Sequence, residues 1–521
     1  MKKNPKAAII ILDFGSQTTQ LIARRIRDTN VYCEILPFNT PAQKIKNLSA
    51  RGIILSGGPG SLYELNSPHP DPAIFTLGLP ILGICYGLQI ITDHYRGEVI
   101  KGDKKKEYGK TRLFFSQKAI NNEFLKKINL KTQTVWMSHG DEIKSPPETF
   151  ITLAGTNKSP YAIIAHPDKK IYGVQFHPEV TQTVSGRQLL ENFVVDICQC
   201  EKNWKPKKII QQMIDEVKTK AGKKKVLHAI SGGTDSTIMA EILHQALGDN
   251  LKCIMVDTGL LRKNEAQTIK QRFNKYLKVK VEIVNAKKRF LKKLEGVTDG
   301  QERRKIIGRE YIEVFKKYLK KDYLLSQGTL YPDVIESAAC DVTAPAHTIK
   351  THHNRTDEVL ELMKQGRVLE IFKNLFKDEV RKIGRTLKLP KEIVHRQPFP
   401  GPGLAIRILG EITEEKLTTL KEADAIVIEE LKKADLYYKI SQSVIALDSH
   451  MVTCVKGDAT AKGYLIFIRN IKTKDFMTIT PYELPKKIRQ TITTRILNEV
   501  PLAGRVLFDE SNKPPATVCY L

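Results

Sequence analysis

Pro80-Ile81-Leu82-Gly83-Ile84-Cys85-Tyr86-Gly87-Leu88-Gln89 decides the first fold. A short apolar run ends in a cysteine set between two glycines, and a helix-like segment follows at once. The same order recurs at Val226 to Ile230, which read as a strand, Ser231 to Ser236 as a loop, and Thr237 to Leu247 as a helix. Outward from these junctions lie further apolar runs, Ile9 to Leu12, Gly52 to Leu55 and Tyr172 to Phe176, punctuated by Gly and Pro. Continuous runs of this kind are buried strands of an α/β sheet rather than alternating strands of a half-solvated one.

The chain has 521 residues, 41% hydrophobic and 27% charged, which suffices for several buried cores and excludes a disordered or disulfide-stapled chain. Eight cysteines without a CxxC or a Cys/His knuckle argue against a zinc site and for a reducing, cytoplasmic compartment. No apolar run approaches the ~18 residues of a membrane span, and Asp13 interrupts the first apolar stretch too early for a signal peptide. The formal charge is +27, from 84 basic and 57 acidic residues. Residues 1 to 200 carry 25 basic against 17 acidic residues, or +8, leaving +19 for the other 321, so the excess is spread along the chain. Its densest runs, Lys104 to Lys106 and Lys223 to Lys225, lack interleaved aromatics. That pattern is a solvated surface or an attraction for anionic substrates, not a nucleic-acid interface.

Composition shifts near Cys200, where a basic helical segment runs from Asn203 to Lys220, and again at the Pro398 to Gly403 cluster. They divide the chain into residues 1–202, 203–397 and 398–521. The last part mixes helical and alternating patterns, as an α+β domain does.

Cys85 alone reads as readily as a buried inert thiol. Its two glycines, however, reproduce the spacing of a nucleophile elbow, and a helix N-terminus there favours thiolate over thiol. Phe176-His177-Pro178-Glu179 supplies a base and a group to orient it, and Gly57 to Gly60 supplies backbone N–H groups for an oxyanion. His69, His94, His166 and His244 have no such context and read as surface or structural residues. With Asp13 to Gln17, Ser56 to Pro59 and Gly83 to Gln89, this part resembles the class I (triad type) glutamine amidotransferases. The resemblance implies that Cys85 attacks the glutamine carboxamide, His177 transfers the proton and Glu179 orients His177. It also implies Gly58, Tyr86 and Gln89 at the oxyanion and glutamine positions, with Trp136 to Asp141 in glutamine binding or domain contact.

In Ser231-Gly232-Gly233-Thr234-Asp235-Ser236 small residues let backbone N–H groups close around an anion at a helix N-terminus. There is no Gly-Lys-Ser/Thr, so the loop is not a Walker A motif. It resembles the pyrophosphate loop of N-type ATP pyrophosphatases, which implies ATP held by these six residues, Mg2+ held with the help of Asp235, and adenosine near Val256 and Asp257. Arg303 to Arg309 resembles a mobile lid, and Phe376 to Arg381 a second phosphate-contacting motif in which Lys377 is the main contact.

A triad amidotransferase followed by this loop resembles the GMP synthetases, as do Gln327 to Glu336, Ile349 to Asn354, Pro398 to Arg407, Lys439 to Gln442, Asp475 to Thr478 and Lys513 to Thr517. The resemblance implies an α/β chain: an amidotransferase domain, a doubly wound parallel-sheet ATP pyrophosphatase domain and a C-terminal α+β dimerisation domain. It implies glutamine, XMP and ATP as substrates, Mg2+ as cofactor, a homodimer through the last domain, and no nucleic-acid or membrane partner. XMP contacts would be Arg309, Arg407, Gln442 and Lys513. Three positions depart from the family pattern: Cys519 replaces a nucleotide-contacting Glu, Gln397 replaces a His, and Ala459-Thr460 replaces Gly-Arg. They predict a raised XMP KM with the chemistry intact. The rival is a tRNA-modifying ATP pyrophosphatase using Cys253 and Cys340, which leaves the glutaminase motifs without a purpose.

Overall fold

The computed structural model describes residues 8–101, 107–131, 133–339, 357–473 and 478–521, without the side chains of 336–339 and 357–358. Lys104 to Lys106, Ile349 to Asn354, Cys340 and Asp475 to Met477 lie outside these residues. The described residues form two compact units, one within residues 1–209 together with 335–339, and the other within residues 210–334 and 357–521.

The first unit is built on a nine-stranded sheet. Strand Ile9–Asp13 lies between Cys33–Pro37 and Gly52–Leu55, and Ile81–Ile84 and Ile171–Val174 follow, all five parallel. Antiparallel strands Ile163–His166, Ile151–Gly155, Glu107–Phe115 and Gln133–His139 extend it. Ile9, Ile10, Ile11, Ile53 and Ile54 have no exposed surface, as the unbroken apolar runs predict for strands covered on both faces. Every parallel strand here ends on the same edge, so the loops after Leu12, Leu55, Ile84 and Val174 converge there.

The second unit contains a five-stranded parallel sheet in the order Val281–Asn285, Leu251–Asp257, Val226–Ala229, Leu324–Ser326, Val368–Leu369. The chain leaves Val226–Ala229 in one direction and later returns to its other side. That reversal opens a crevice at the carboxyl ends of Val226–Ala229 and Leu324–Ser326, the usual ligand position in doubly wound sheets. A second sheet is dominated by the antiparallel pair Gln442–Lys456 and Ala459–Lys472, with Ala503–Phe508 parallel to the latter. Helix Glu414–Lys433 covers it through Leu417, Leu420, Val427 and Leu431.

Candidate active sites

Cys85 sits between strand Ile81–Ile84 and helix Tyr86–His94 with φ +53° and ψ −105°, a conformation that L residues rarely adopt. Such strain at a strand-to-helix turn throws the side chain out of the sheet edge. The turn closes only over glycine: a Cβ on Gly87 would lie 2.4 Å from the Leu55 carbonyl oxygen. The Cys85 N–H donates to the Val174 carbonyl (2.7 Å), and the two strands run in register with Ile84 opposite Val174. His177, three residues beyond Val174, is thereby brought to the thiol. Its Nδ1–H donates to Glu179 Oε1 (2.7 Å), and the imidazole also pairs with the Cys85 thiol.

Glu179 is fully buried, and its Oε2 has no hydrogen-bond partner among the described residues. Burial opposes charge on His177, but the pairings with Cys85 and Glu179 outweigh it and push the imidazole up to about 10. Raised above its ordinary value of about 6.5, this group contributes stability that is fully present below that value. The contribution is lost as pH rises through about 10. We therefore expect the melting-temperature advantage of the wild type over His177→Gln to be largest near neutrality or below and to shrink toward pH 10; an advantage that grows with pH would contradict the pairing.

The remaining predicted groups surround this dyad. A Cβ on Gly57 would lie 3.3 Å from His177 Cε1 and 3.7 Å from Cys85 Cβ, so the Gly57-Gly58 turn borders the thiol. Tyr86 opens its helix, which leaves its N–H without an intrahelical acceptor, and its hydroxyl donates to Pro68 O (3.1 Å). Gln89 is buried and its amide donates to the Asp141 carbonyl (3.2 Å), so its side chain fastens the Trp136 to Asp141 segment. Two further groups touch the sulfur: the Ser138 carbonyl, in the Trp136 to Asp141 segment expected at glutamine binding or a domain contact, accepts from the Cys85 thiol at 3.7 Å, and Gln175, which sequence reasoning missed, donates to it through its amide at 3.8 Å.

In the second unit the loop after Val226–Ala229 becomes a helix three residues earlier than predicted, at Thr234, so Thr234, Asp235 and Ser236 form the first turn of Thr234–Leu247. The turn's N–H groups thus belong to a helix N-terminus rather than to a free loop. Ser231 and Ser236 hydroxyls are 3.0 Å apart, and Thr234 Oγ1 donates to Ile393 O (2.9 Å). Gly232 has φ +71°, and a Cβ there would strike Ile269 Cδ1 at 2.0 Å. Arg396, in the stretch leading to the Pro/Gly cluster, donates to the Gly232 carbonyl and to Glu265. Lys377 Nζ stands 3.6 Å from Asp235 Oδ2, while Asp235 Oδ1 is buried without a hydrogen-bond partner among the described residues. An orphaned carboxylate oxygen at this position fits a hard cation.

A cavity of about 870 Å³ opens at the crevice, with Ser231, Asp235 and Ser236 at its polar end and Ile307, Tyr311 and Phe315 on an apolar wall. Val256 is buried at the end of strand Leu251–Asp257, where the Tyr311 hydroxyl bonds its backbone.

The lid reading of Arg303 needs correction. That residue has no exposed surface and donates to the carbonyls of Ala405 and Ile408 (2.7 Å each), Val297 and Gly410. It clamps backbone and has no donors to spare for phosphate, whereas Arg309 of the same helix, Gly300–Lys316, is exposed. Gln397 is likewise spent on main chain. It donates to Tyr437 O (2.8 Å) and Ile440 O and accepts from Ser443 N–H (2.9 Å), so this departure is a structural substitution.

Arg407 is fully buried against Asp424 (3.2 Å) and over the Phe399 ring, yet its Nε and Nη2 lack hydrogen-bond partners among the described residues. Burial pushes the neighbouring Cys519 thiol up, against the pull of Arg407 and Arg304. Gln442 is buried at the start of its strand, and Lys513 exchanges backbone hydrogen bonds with Ile479. Cys253 is buried in mid-strand, where burial pushes its thiol up to about 12, as expected of an inert structural thiol. Among the described residues, no group of three or more His, Cys, Asp or Glu could hold a metal, and no helix is long and apolar enough to cross a membrane.

A cysteine elbow with a His–Glu pair at the edge of a parallel sheet is the arrangement of a class I amidotransferase, and residues 10–197 match the family described as glutamine amidotransferase class-I. Residues 429–520 match the GMP synthase C terminal domain. The chain is 46% identical to a GMP synthase [glutamine-hydrolyzing] of a Nostoc species, covering 98% of this chain and 95% of that one. It is equally similar to that of Caldanaerobacter subterraneus, 46% identical over 98% and 99% of the two chains. A Thermosynechococcus vestitus relative of the same name is 45% identical, covering 98% and 96%. The chain belongs to the glutamine-hydrolysing GMP synthase family.

Proposed function

We propose that this chain makes GMP from XMP, with segments 1–202, 203–397 and 398–521 supplying ammonia, activating XMP and completing the XMP site. The observation that carries this reading is the presence in one chain of two sites, the Cys85–His177–Glu179 constellation and the Ser231 to Ser236 turn, each at the carboxyl edge of its own parallel sheet.

At the first site Cys85 sulfur attacks the glutamine carboxamide carbon while Gly58 and Tyr86 N–H groups receive the oxyanion. His177 gives its proton to the leaving nitrogen, ammonia departs, and water then cleaves the thioester to glutamate. At the second, the XMP C2 oxygen attacks the α-phosphorus of ATP and pyrophosphate leaves. Ammonia then attacks C2 and AMP leaves, since adenylylation turns a poor leaving oxygen into a good one. Ser231 to Ser236 and Lys377 hold the phosphates, and Asp235 would hold Mg2+, which supplies charge neutralisation of the pyrophosphate. Arg309, Arg407, Gln442 and Lys513 hold XMP, and the C-terminal segment pairs two chains; sedimentation giving only monomer at every working concentration would remove that last element.

The test is chromatographic detection of GMP and AMP from XMP, ATP, Mg2+ and either glutamine or ammonium. Equal amounts of both products support the reading, and no GMP with either donor overturns it. Position 519 carries a further expectation: Cys519→Glu restores the nucleotide-contacting carboxylate of the family pattern and lowers the XMP KM by about tenfold. An unchanged KM would mean that Cys519 is not what limits XMP affinity.

A further inference from the structure

One buried group beside the phosphate turn belongs to neither set of residues above. His228 is the third residue of strand Val226–Ala229, is 2% exposed, and borders the cavity beside Ser231, Asp235 and Ser236. Its Nε2 lies 2.8 Å from the Ser236 carbonyl oxygen, and its Nδ1 lies 2.5 Å from the Ser326 hydroxyl on the neighbouring strand. A carbonyl only accepts, so Nε2 carries the proton and donates, and Nδ1 accepts from the Ser326 O–H. One neutral ring therefore ties the first turn of helix Thr234–Leu247 to strand Leu324–Ser326, across the point where the sheet reverses direction. Burial holds the ring neutral, down to about 4, so a second proton does not compete with this arrangement at working pH.

We propose that His228 is a positioning residue for ATP: through Ser236 it fixes the orientation of the phosphate-binding turn, with Ser326 fixing the ring. The proposal rests on the ATP reading of this turn. An apolar side chain could fill the same space, but it would leave the Ser236 carbonyl with only its helical partner, the Ala240 N–H, and the Ser326 hydroxyl without its acceptor, so the turn would lose its tie to the neighbouring strand. The ring is therefore a determinant of ATP affinity, not a participant in bond making.

The experiment uses the full chain with XMP, ammonium and varied ATP-Mg2+, which takes the glutaminase out of the measurement. His228→Ala is expected to raise the ATP KM by about tenfold, the order of one buried neutral hydrogen bond, with kcat and the XMP KM within about twofold. His228→Gln and His228→Asn then separate positioning from packing. The longer amide reaches the Ser236 carbonyl from the Nε2 position and restores the ATP KM; the shorter one reaches only Ser326 and does not. Equal behaviour of the two amides, or an ATP KM unchanged in His228→Ala, overturns the proposal. If His228→Ala does not fold, Ser326→Ala serves in its place, expected to raise the ATP KM severalfold and, if it does not, to overturn the ring's fixation. A wild type that makes no AMP from ATP and XMP defeats the ATP reading itself, a result distinct from either of these.

Discussion

Cys85→Ala abolishes glutamine-dependent GMP formation, by more than about 1000-fold, and leaves ammonium-dependent formation within about twofold of wild type. The size follows from the loss of the nucleophile, since no other thiol or hydroxyl among the described residues shares the pairing with His177. The selectivity follows from the backbone. Alanine has the same Cβ as cysteine and meets the same constraint at φ +53°, so the turn, the Gly57-Gly58 donors and the sheet edge are not disturbed. Loss of both activities would show that the elbow carries structure for the whole chain, and retention of both would remove Cys85 from ammonia supply. Glu179→Gln is a milder companion. The amide still accepts from His177 Nδ1–H but no longer balances the imidazolium, so the loss is expected to be smaller than for Cys85→Ala yet equally confined to glutamine.

What the sequence makes legible is what lies close along the chain or is forced by strand order. Cys85 with its flanking glycines, His177 with Glu179, and the Ser231 to Ser236 turn are each written within a few residues, and parallel strands deliver them to a sheet edge. The partners that hold these groups are not written that way. Arg396 reaches Gly232 across 164 positions and His228 reaches Ser326 across 98, and neither distance leaves a periodicity or a motif. Charge is the least legible property. Arg303 and Arg309 lie six residues apart on one helix, yet the first is sealed against four backbone carbonyls and the second faces solvent. A guanidinium's direction depends on which carbonyls tertiary packing leaves unpaired, and no spacing rule within the helix reports that. Gln397 makes the same point from the other side, since a change that reads as a lost ionic group is satisfied entirely by backbone.

Asp235→Asn removes ATP-dependent AMP formation by about 1000-fold or more while glutamine hydrolysis by the first site, measured without XMP and ATP, persists. Asp235 stands in the first turn of a 14-residue helix, whose dipole already favours a negative charge there. Two features separate it from an ordinary first-turn carboxylate. Its Oδ1 is buried without a hydrogen-bond partner among the described residues, and its Oδ2 faces Lys377 at 3.6 Å across the same opening. A carboxylate retained only for the helix would turn to solvent or to a backbone N–H. One held partly desolvated, with a half-exposed lysine beside it, is placed to receive further positive charge. The amide keeps the size and one oxygen but neither the charge nor a second metal-binding oxygen, so raising Mg2+ restores little of the activity. The contrasting variant is Lys377→Met, which removes a phosphate contact but not the cation site; it is expected to raise the ATP KM while the Mg2+ dependence at saturating ATP stays as in the wild type. If Asp235→Asn instead forms AMP at the wild-type rate, Asp235 and Lys377 are a surface ion pair, and the cation is held elsewhere.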